Sequence, residues 1–145
     1  MMGVDMTAKE YLRRVRHLDS TISAKLEQIE TLHAQVTKIT SVLSDMPRSG
    51  GEQDRLAKTI AKIVDLKKRL RDEIEEYIEL KEEAIKLIDS MSDGRHRLVL
   101  TYRYINGKTW EEIAVEMHYT YKWVHVLHGQ ALADFENVLR MRKST

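Results

Sequence analysis

The chain has no cysteine among its 145 residues. That excludes disulfide staples and thiolate-ligated metal sites. Proline occurs once and glycine six times, so helix breakers are scarce. Abundant Ala, Leu, Ile, Glu, Lys and Arg then favour helix throughout. No apolar run approaches the roughly 20 residues that span a bilayer, and no signal-type apolar core opens the chain. The expectation is a cytoplasmic protein with no membrane partner. Neither sign of charge dominates, since 24 Lys and Arg stand against 23 Asp and Glu. No global basic surface compels a nucleic-acid partner, so local distribution decides. No Ser-His-Asp arrangement, phosphate-binding glycine loop or cysteine nucleophile is present. The reading is of an all-α protein that is not an enzyme and takes no cofactor.

What is present falls into three pieces. From about Thr7 to Ser44, apolar residues follow a coiled-coil schedule. Val15, Ile22, Ile29, Val36 and Leu43 are seven apart, and Tyr11, Leu18, Lys25, Leu32 and Ile39 form the interleaved set. Gaps of four and three keep a narrow seam on one helix face. Lys25 is its only charge. Such a helix extends roughly 57 Å at about 1.5 Å per residue. The run Asp45-Met46-Pro47-Arg48-Ser49-Gly50-Gly51 breaks it, because proline lacks an amide donor and paired glycines are conformationally loose.

From about Glu52 to Met91 the alternation returns: Leu56, Ile60, Ile63, Lys67, Leu70, Ile74, Tyr77, Lys81, Ala84, Ile88 and Met91. Lys67 and Lys81 interrupt this seam, either setting register or laying their stems along it with the ammonium in water. The acidic run "DEIEEYIELKEE", residues 72–83, suits an exposed helix face. Two long helices joined by a short Pro/Gly loop predict an antiparallel hairpin over residues 1–91. A parallel two-chain coil is the open alternative, since the β-branched and leucine seam positions resemble parallel dimers. Flanking residues Leu12, Leu26, Ala57, Val64, Ile78 and Ile85 widen both seams. That surplus has to meet a second copy or the C-terminal domain.

The third piece, residues 92–145, starts at a capping residue, Ser92 or Asp93. Leu98, Val99, Tyr102 and Ile105 form a helical stripe, and Asn106-Gly107 ends it. Thr109 and Glu112 have the spacing of a capping box that opens a helix over Trp110 to Met117. His118 and Tyr119 turn the chain, and Thr120 caps a last helix reaching about Arg142. A DNA-binding helix-turn-helix needs a small residue in its first helix and apolar residues at fixed offsets. Ala114 is the small one, and Ile113, Met117, Tyr119, Val124 and Leu127 supply the rest. An ordinary helical hairpin in a bundle is the competing reading. His118 is a departure, because the turn favours positive φ and usually carries glycine.

The string "RHRLVLTYRYINGKTWEEIAVEMHYTYKWVHVLHGQAL" resembles the fourth conserved region of bacterial sigma factors. That resemblance implies a three-helix domain whose helix-turn-helix recognises a promoter element. The upstream "DMPRSGGEQDRLAKTIAKIVDL" resembles small phage and prophage proteins bearing the same module, including late-transcription regulators of the ArpU and RinA class. The promoter-melting and polymerase-gripping sigma regions have no counterpart here. The implied function is sequence-specific DNA binding in phage or prophage transcription control.

In such a motif the second helix lies in the major groove. Thr120, Tyr121, Lys122, His125 and Val126 are the candidate DNA-binding residues, with Lys108, Arg103 and Arg97 as candidates for the backbone. The competing reading of Lys122 is a solvated charge. Trp110 is expected to pack under the capping box, and Trp123 to lie at the edge of the reading face. His125 and His128 are three apart, a spacing able to hold metal, but no third ligand stands at a telling distance and no metal site is assigned. Residues 93–145 carry eight Lys and Arg against six Asp and Glu, a weak basis for phosphate neutralisation. Homo-oligomerisation through the hairpin, most simply as a dimer, or recruitment by RNA polymerase would compensate. Two rivals stay open: a DNA-packaging oligomer like a small terminase subunit, and a sigma-like protein-interaction module that does not bind DNA.

Overall fold

A computed structural model describes residues 7–45 and 50–144, without the side chains at 43–45, 143 and 144. Of the expected break over residues 45–51, residues 46–49 lie outside them, as does the side chain of Leu43. Asp45 ends α1 and Gly50 and Gly51 open α2, so the break is shorter than the sequence predicts. The described residues are all-helical: α1 (Ala8–Asp45), α2 (Gly50–Asp89), α3 (Gly94–Leu100) with a π-helical turn (Thr101–Ile105), α4 (Trp110–Met117) and α5 (Tyr121–Ser144). None of these helices is long and apolar enough to cross a membrane.

The chain divides into two compact units, residues 19–76 and residues 1–18 with 77–145. The sequence places a boundary near residue 91 instead. The reason for the difference is packing. Ala8, Tyr11, Leu12 and Val15 of α1 and Ala84, Ile88 and Met91 of α2 share one core with α3, α4 and α5.

In the unit of residues 19–76, Ile22, Ile29 and Ile39 of α1 are buried, as the heptad pattern predicts. On α2 the pattern needs correcting. Ile60 is 45% exposed and Thr59 is buried in its place; Lys67 is exposed and Leu66 half-buried. The inner stripe is therefore set back one residue at these two positions, while Ile63 and Leu70 are buried as expected. Burial of Thr59 is tolerable because its hydroxyl donates to the Arg55 carbonyl at 2.8 Å, which satisfies the polar group inside its own helix. Lys25 holds its seam position by an ion pair with Glu73.

In the other unit, Phe135, Leu12, Ile88, Leu100, Ile113 and Leu127 are fully buried. Each such side chain contributes about 1.5–3 kcal/mol relative to exposure. Polar ties fix the helix ends around this core. The Ala8 amide donates to Glu136 Oε2 at 2.6 Å, so a carboxylate on α5 satisfies one of the orphan donors that open α1. Tyr11 donates its hydroxyl to Glu83 at 2.9 Å, and Arg142 pairs with the same carboxylate. Asp93 caps α3, accepting from the amides of Arg95 and His96. His96 Nδ1 lies 2.8 Å from Asp134 Oδ2, tying α3 to α5. Lys81 is half-buried, with its ammonium 5.2 Å from the Tyr77 ring centroid.

Candidate nucleic-acid interface

The geometry of this region begins at Gly107. The π-helical turn closes with the Asn106 amide bonded to the Thr101 carbonyl at 2.9 Å, and Gly107 follows at φ 70°. That left-handed residue reverses the chain toward Thr109. The Thr109 side chain accepts from the Glu112 amide at 3.2 Å, and the Glu112 carboxylate accepts from the Thr109 amide at 2.9 Å. The capping box expected from the sequence is thus formed. The Thr109 amide, and then its hydroxyl, hold the Glu112 carboxyl below its ordinary value.

Helix α4 ends at His118, which takes φ 59° and ψ 39°. Its amide bonds the Val115 carbonyl at 3.2 Å, and the Tyr119 amide bonds the Ala114 carbonyl at 3.0 Å. These two bonds define a Schellman turn, whose left-handed position glycine usually fills. Histidine adopts the conformation at an expense of roughly 1–2 kcal/mol. Compensation comes from apolar contact after the turn. Tyr119 packs against the core together with Ala114 and Met117, and its ring meets Trp123 edge-on with centroids 6.4 Å apart. Thr120 then caps α5, accepting from the Trp123 amide at 3.1 Å.

The first two turns of α5 present two faces. Val124 and Leu127 are wholly buried. Thr120, Tyr121, Lys122, Trp123, His125 and Val126 are all exposed. Five of these are the residues that the sequence nominates for DNA contact. The remaining nominees differ. Arg103 lies over the Trp110 ring, with Cζ 4.1 Å from its centroid, and donates to the Lys108 carbonyl at 3.1 Å. Lys108 is half-buried, 3.7 Å from Glu116 and 5.6 Å from the Tyr102 ring. Arg97 donates to the Met91 carbonyl, closing the end of α2.

Trp110 is half-buried against the core. Its ring centroid lies 4.6 Å from that of His125 and 4.6 Å from that of His128. His125 is also 4.6 Å from the Tyr121 ring. A chain of flat groups therefore runs Arg103, Trp110, His125, Tyr121. It holds the His125 ring in place at the surface by aromatic and cation–π contacts. Sequence reasoning missed this role of Trp110, because the contacts join residues 15 to 18 positions apart and no spacing rule announces them. His128 is buried behind the chain, its Nε2 2.7 Å from the Tyr104 hydroxyl. Desolvation, then the positive charges of Lys9 and Arg103, lower its pKa from 6.5 to about 4. That imidazole is neutral at physiological pH. No group of three or more candidate metal ligands occurs among the described residues.

Comparison of the chain with protein-family models, curated proteins and solved structures finds no match in any of the three.

Proposed function

We propose that α4 and α5 form a helix-turn-helix, that α5 enters the major groove of double-stranded DNA, and that the protein regulates transcription in a phage or prophage setting. The observation that carries this reading is the ridge on α5. A Schellman turn at His118 launches the helix, its inner face is buried at Val124 and Leu127, and its outer face is open at Thr120, Tyr121, Lys122, His125 and Val126. A helix fixed from behind and bare in front suits groove insertion. Lys122 supplies a donor for guanine or phosphate, His125 a donor or acceptor for a base edge, and Val126 an apolar contact for a thymine methyl. The resemblance to sigma region four and to phage regulators points the same way, and it alone supplies the transcriptional setting.

The long helices complete the proposal as an antiparallel hairpin that self-associates. The Tyr11–Glu83 bond in one unit and the Lys25–Glu73 pair in the other each support pairing of α1 with α2. RNA polymerase is a further candidate partner.

Selection of duplexes from a random-sequence pool, followed by affinity measurement, tests the reading. The wild-type chain should enrich a defined motif. Lys122→Ala combined with His125→Ala should reduce discrimination between that motif and random duplex by tenfold or more, at about 1–3 kcal/mol per lost base contact. An unchanged affinity ratio would reject α5 as the reading helix.

A second reading draws on the apolar character of the same surface. Tyr121 is 50% exposed, with Trp123 and Val126 also open. Such side chains fit an interaction module that contacts a protein without DNA. Failure of the wild-type chain to bind any duplex would favour it.

A further inference from the structure

We infer that the first turns of α1 form a phosphate-binding ridge for duplex DNA, with Lys9, Arg13 and Arg16 continuing the surface that begins at Arg103. This inference rests on α5 being the DNA-reading helix and extends that site onto a helix to which the sequence assigns another task.

Three observations carry it. The first is spacing. Residues 9, 13 and 16 are separated by four and three, which returns them to one face of a helix. They flank the stripe of Ala8, Leu12 and Val15 that is buried in the core, so packing fixes the direction in which the ridge points. Lys9 and Arg13 are exposed and Arg16 is half-buried.

The second is location. Lys9 and Arg13 are close enough to His128 to disfavour its protonation, together with Arg103 and His125. Arg13 and Arg16 both act on Tyr104, and Arg16 acts on Arg103. Ala8, Tyr11, Leu12 and Val15, the buried stripe beside the ridge, share one core with Tyr104 and Leu127. Tyr104 bonds His128, so the α1 ridge and the Tyr104–His128 pair belong to one packed unit. Arg103 and Trp110 connect it to His125 on the reading face.

The third is the absence of internal neutralisation. Among the described residues no carboxylate forms an ion pair with Lys9, Arg13, Arg16 or Arg103. Glu111 is the acidic group whose charge reaches Arg103, and it makes no ion pair with it. Four cations with no ion-paired carboxylate among the described residues repel one another, and a polyanion relieves that repulsion. The duplex backbone, one charge per roughly 1.7 Å of axis, is the anion suited to a linear ridge. Arg103 keeps part of its donor set for the Lys108 carbonyl and offers the remainder. This ridge supplies the neutralisation that residues 93–145 lack by count.

The test uses the full chain and a fluorescently labelled random-sequence duplex, titrated across about 50–200 mM potassium chloride. Wild type is compared with the triple variant Lys9→Gln, Arg13→Gln, Arg16→Gln, with circular dichroism as the folding control. Each lost phosphate contact lowers the slope of log affinity against log salt by about 0.9. The expected result is a slope shallower by about 2–3 in the triple variant, with the preference for the selected motif over random duplex unchanged. Should the triple variant not fold, Lys9→Gln and Arg13→Gln alone carry the test, each expected to reduce the slope by about 0.9. An unchanged slope, with Lys122→Ala and His125→Ala still impairing discrimination, overturns the ridge and leaves the reading of α5 standing. A wild-type chain that binds no duplex overturns both.

Discussion

The Tyr104 hydroxyl and His128 Nε2 share a hydrogen bond of 2.7 Å, made inside the core by two residues that flank the candidate reading surface. Burial of the imidazole, then the charges of Lys9, Arg103, His125 and Arg13, lower its pKa to about 4 from 6.5. The sign of the consequence is fixed by which state takes the proton. Between pH 6.5 and 4 the unfolded chain protonates this histidine and the folded chain does not. Its contribution to stability is thus complete above pH 6.5 and is lost as pH falls through about 4. The loss is on the order of 3 kcal/mol. Urea unfolding at a series of pH values should show wild type weakening over that interval. His128→Gln, which keeps a hydrogen-bonding group without the titration, should weaken less. Equal slopes for the two chains would remove His128 as the cause.

Removing the other partner tests the bond itself. Tyr104→Phe leaves the buried ring nitrogen without its hydroxyl and should destabilise the protein by about 1–3 kcal/mol at neutral pH. The circular dichroism spectrum should stay helical, since the ring still fills its place. A change near zero would mean that water replaces the hydroxyl.

His118 carries the left-handed turn between α4 and α5 at φ 59°. Glycine has no steric penalty there but loses more entropy on folding. The net expectation is stabilisation of about 0.5–1 kcal/mol for His118→Gly. For His118→Val, whose branched side chain opposes positive φ, the expectation is destabilisation by more than 1 kcal/mol. Thermal unfolding of the three proteins checks the order. A valine variant as stable as wild type would show that the turn can be rebuilt without the left-handed residue.

Much of this architecture is legible in the sequence because local rules set it. Asp93, Thr109 with Glu112, His118 and Thr120 all stand where capping and turn chemistry predict. The α1 seam from Tyr11 to Ile39 is buried or half-buried throughout. What escapes is whatever depends on packing between distant segments. Heptad counting selects Ile60 over Thr59, because it weighs hydrophobicity and cannot see that Thr59 satisfies its own hydroxyl. The division near residue 91 likewise overlooks that Leu12 and Ile88 belong to the same core as Leu127. At the candidate interface, exposure of Thr120, Lys122 and His125 follows from helical phase once Val124 and Leu127 are assigned inward. The contacts of Arg103 and His125 with the Trp110 ring do not, since no periodicity links them.

Lys25 and Glu73 form a partly exposed ion pair in the α1–α2 seam, and Glu73 Oε2 is buried without a hydrogen-bond partner. Truncating only the lysine strands a carboxylate. Lys25→Ala should therefore destabilise by about 1–2 kcal/mol, less than for a fully buried pair because water still reaches both groups. Replacing both charges by apolar residues removes the desolvation penalty together with the attraction. Lys25→Met with Glu73→Leu should accordingly be neutral or stabilising. A double-mutant cycle by urea unfolding measures the coupling. A double variant less stable than wild type would indicate that the pair contributes more than it costs to desolvate.

The apolar surplus beside the seams bears on self-association. Within residues 19–76, Leu26 is 47% exposed, Ile60 45% and Val64 51%. Ile60 and Val64 are one helical turn apart on α2, so they share a face. Leaving that face in water forgoes burial worth about 1.5–3 kcal/mol per side chain, and a second copy of the chain can recover it. A glutamate at either position places a charge in the dry centre of such an interface without disturbing the buried Ile63 and Leu70. The expected outcome is that the wild type sediments as a dimer or larger species at micromolar concentration. Ile60→Glu with Val64→Glu should sediment as a folded monomer and bind duplex DNA at least tenfold more weakly, because two linked readers raise the effective concentration of the second. Wild type that remains monomeric at high concentration would assign the exposed face another occupant and require each copy to bind DNA alone.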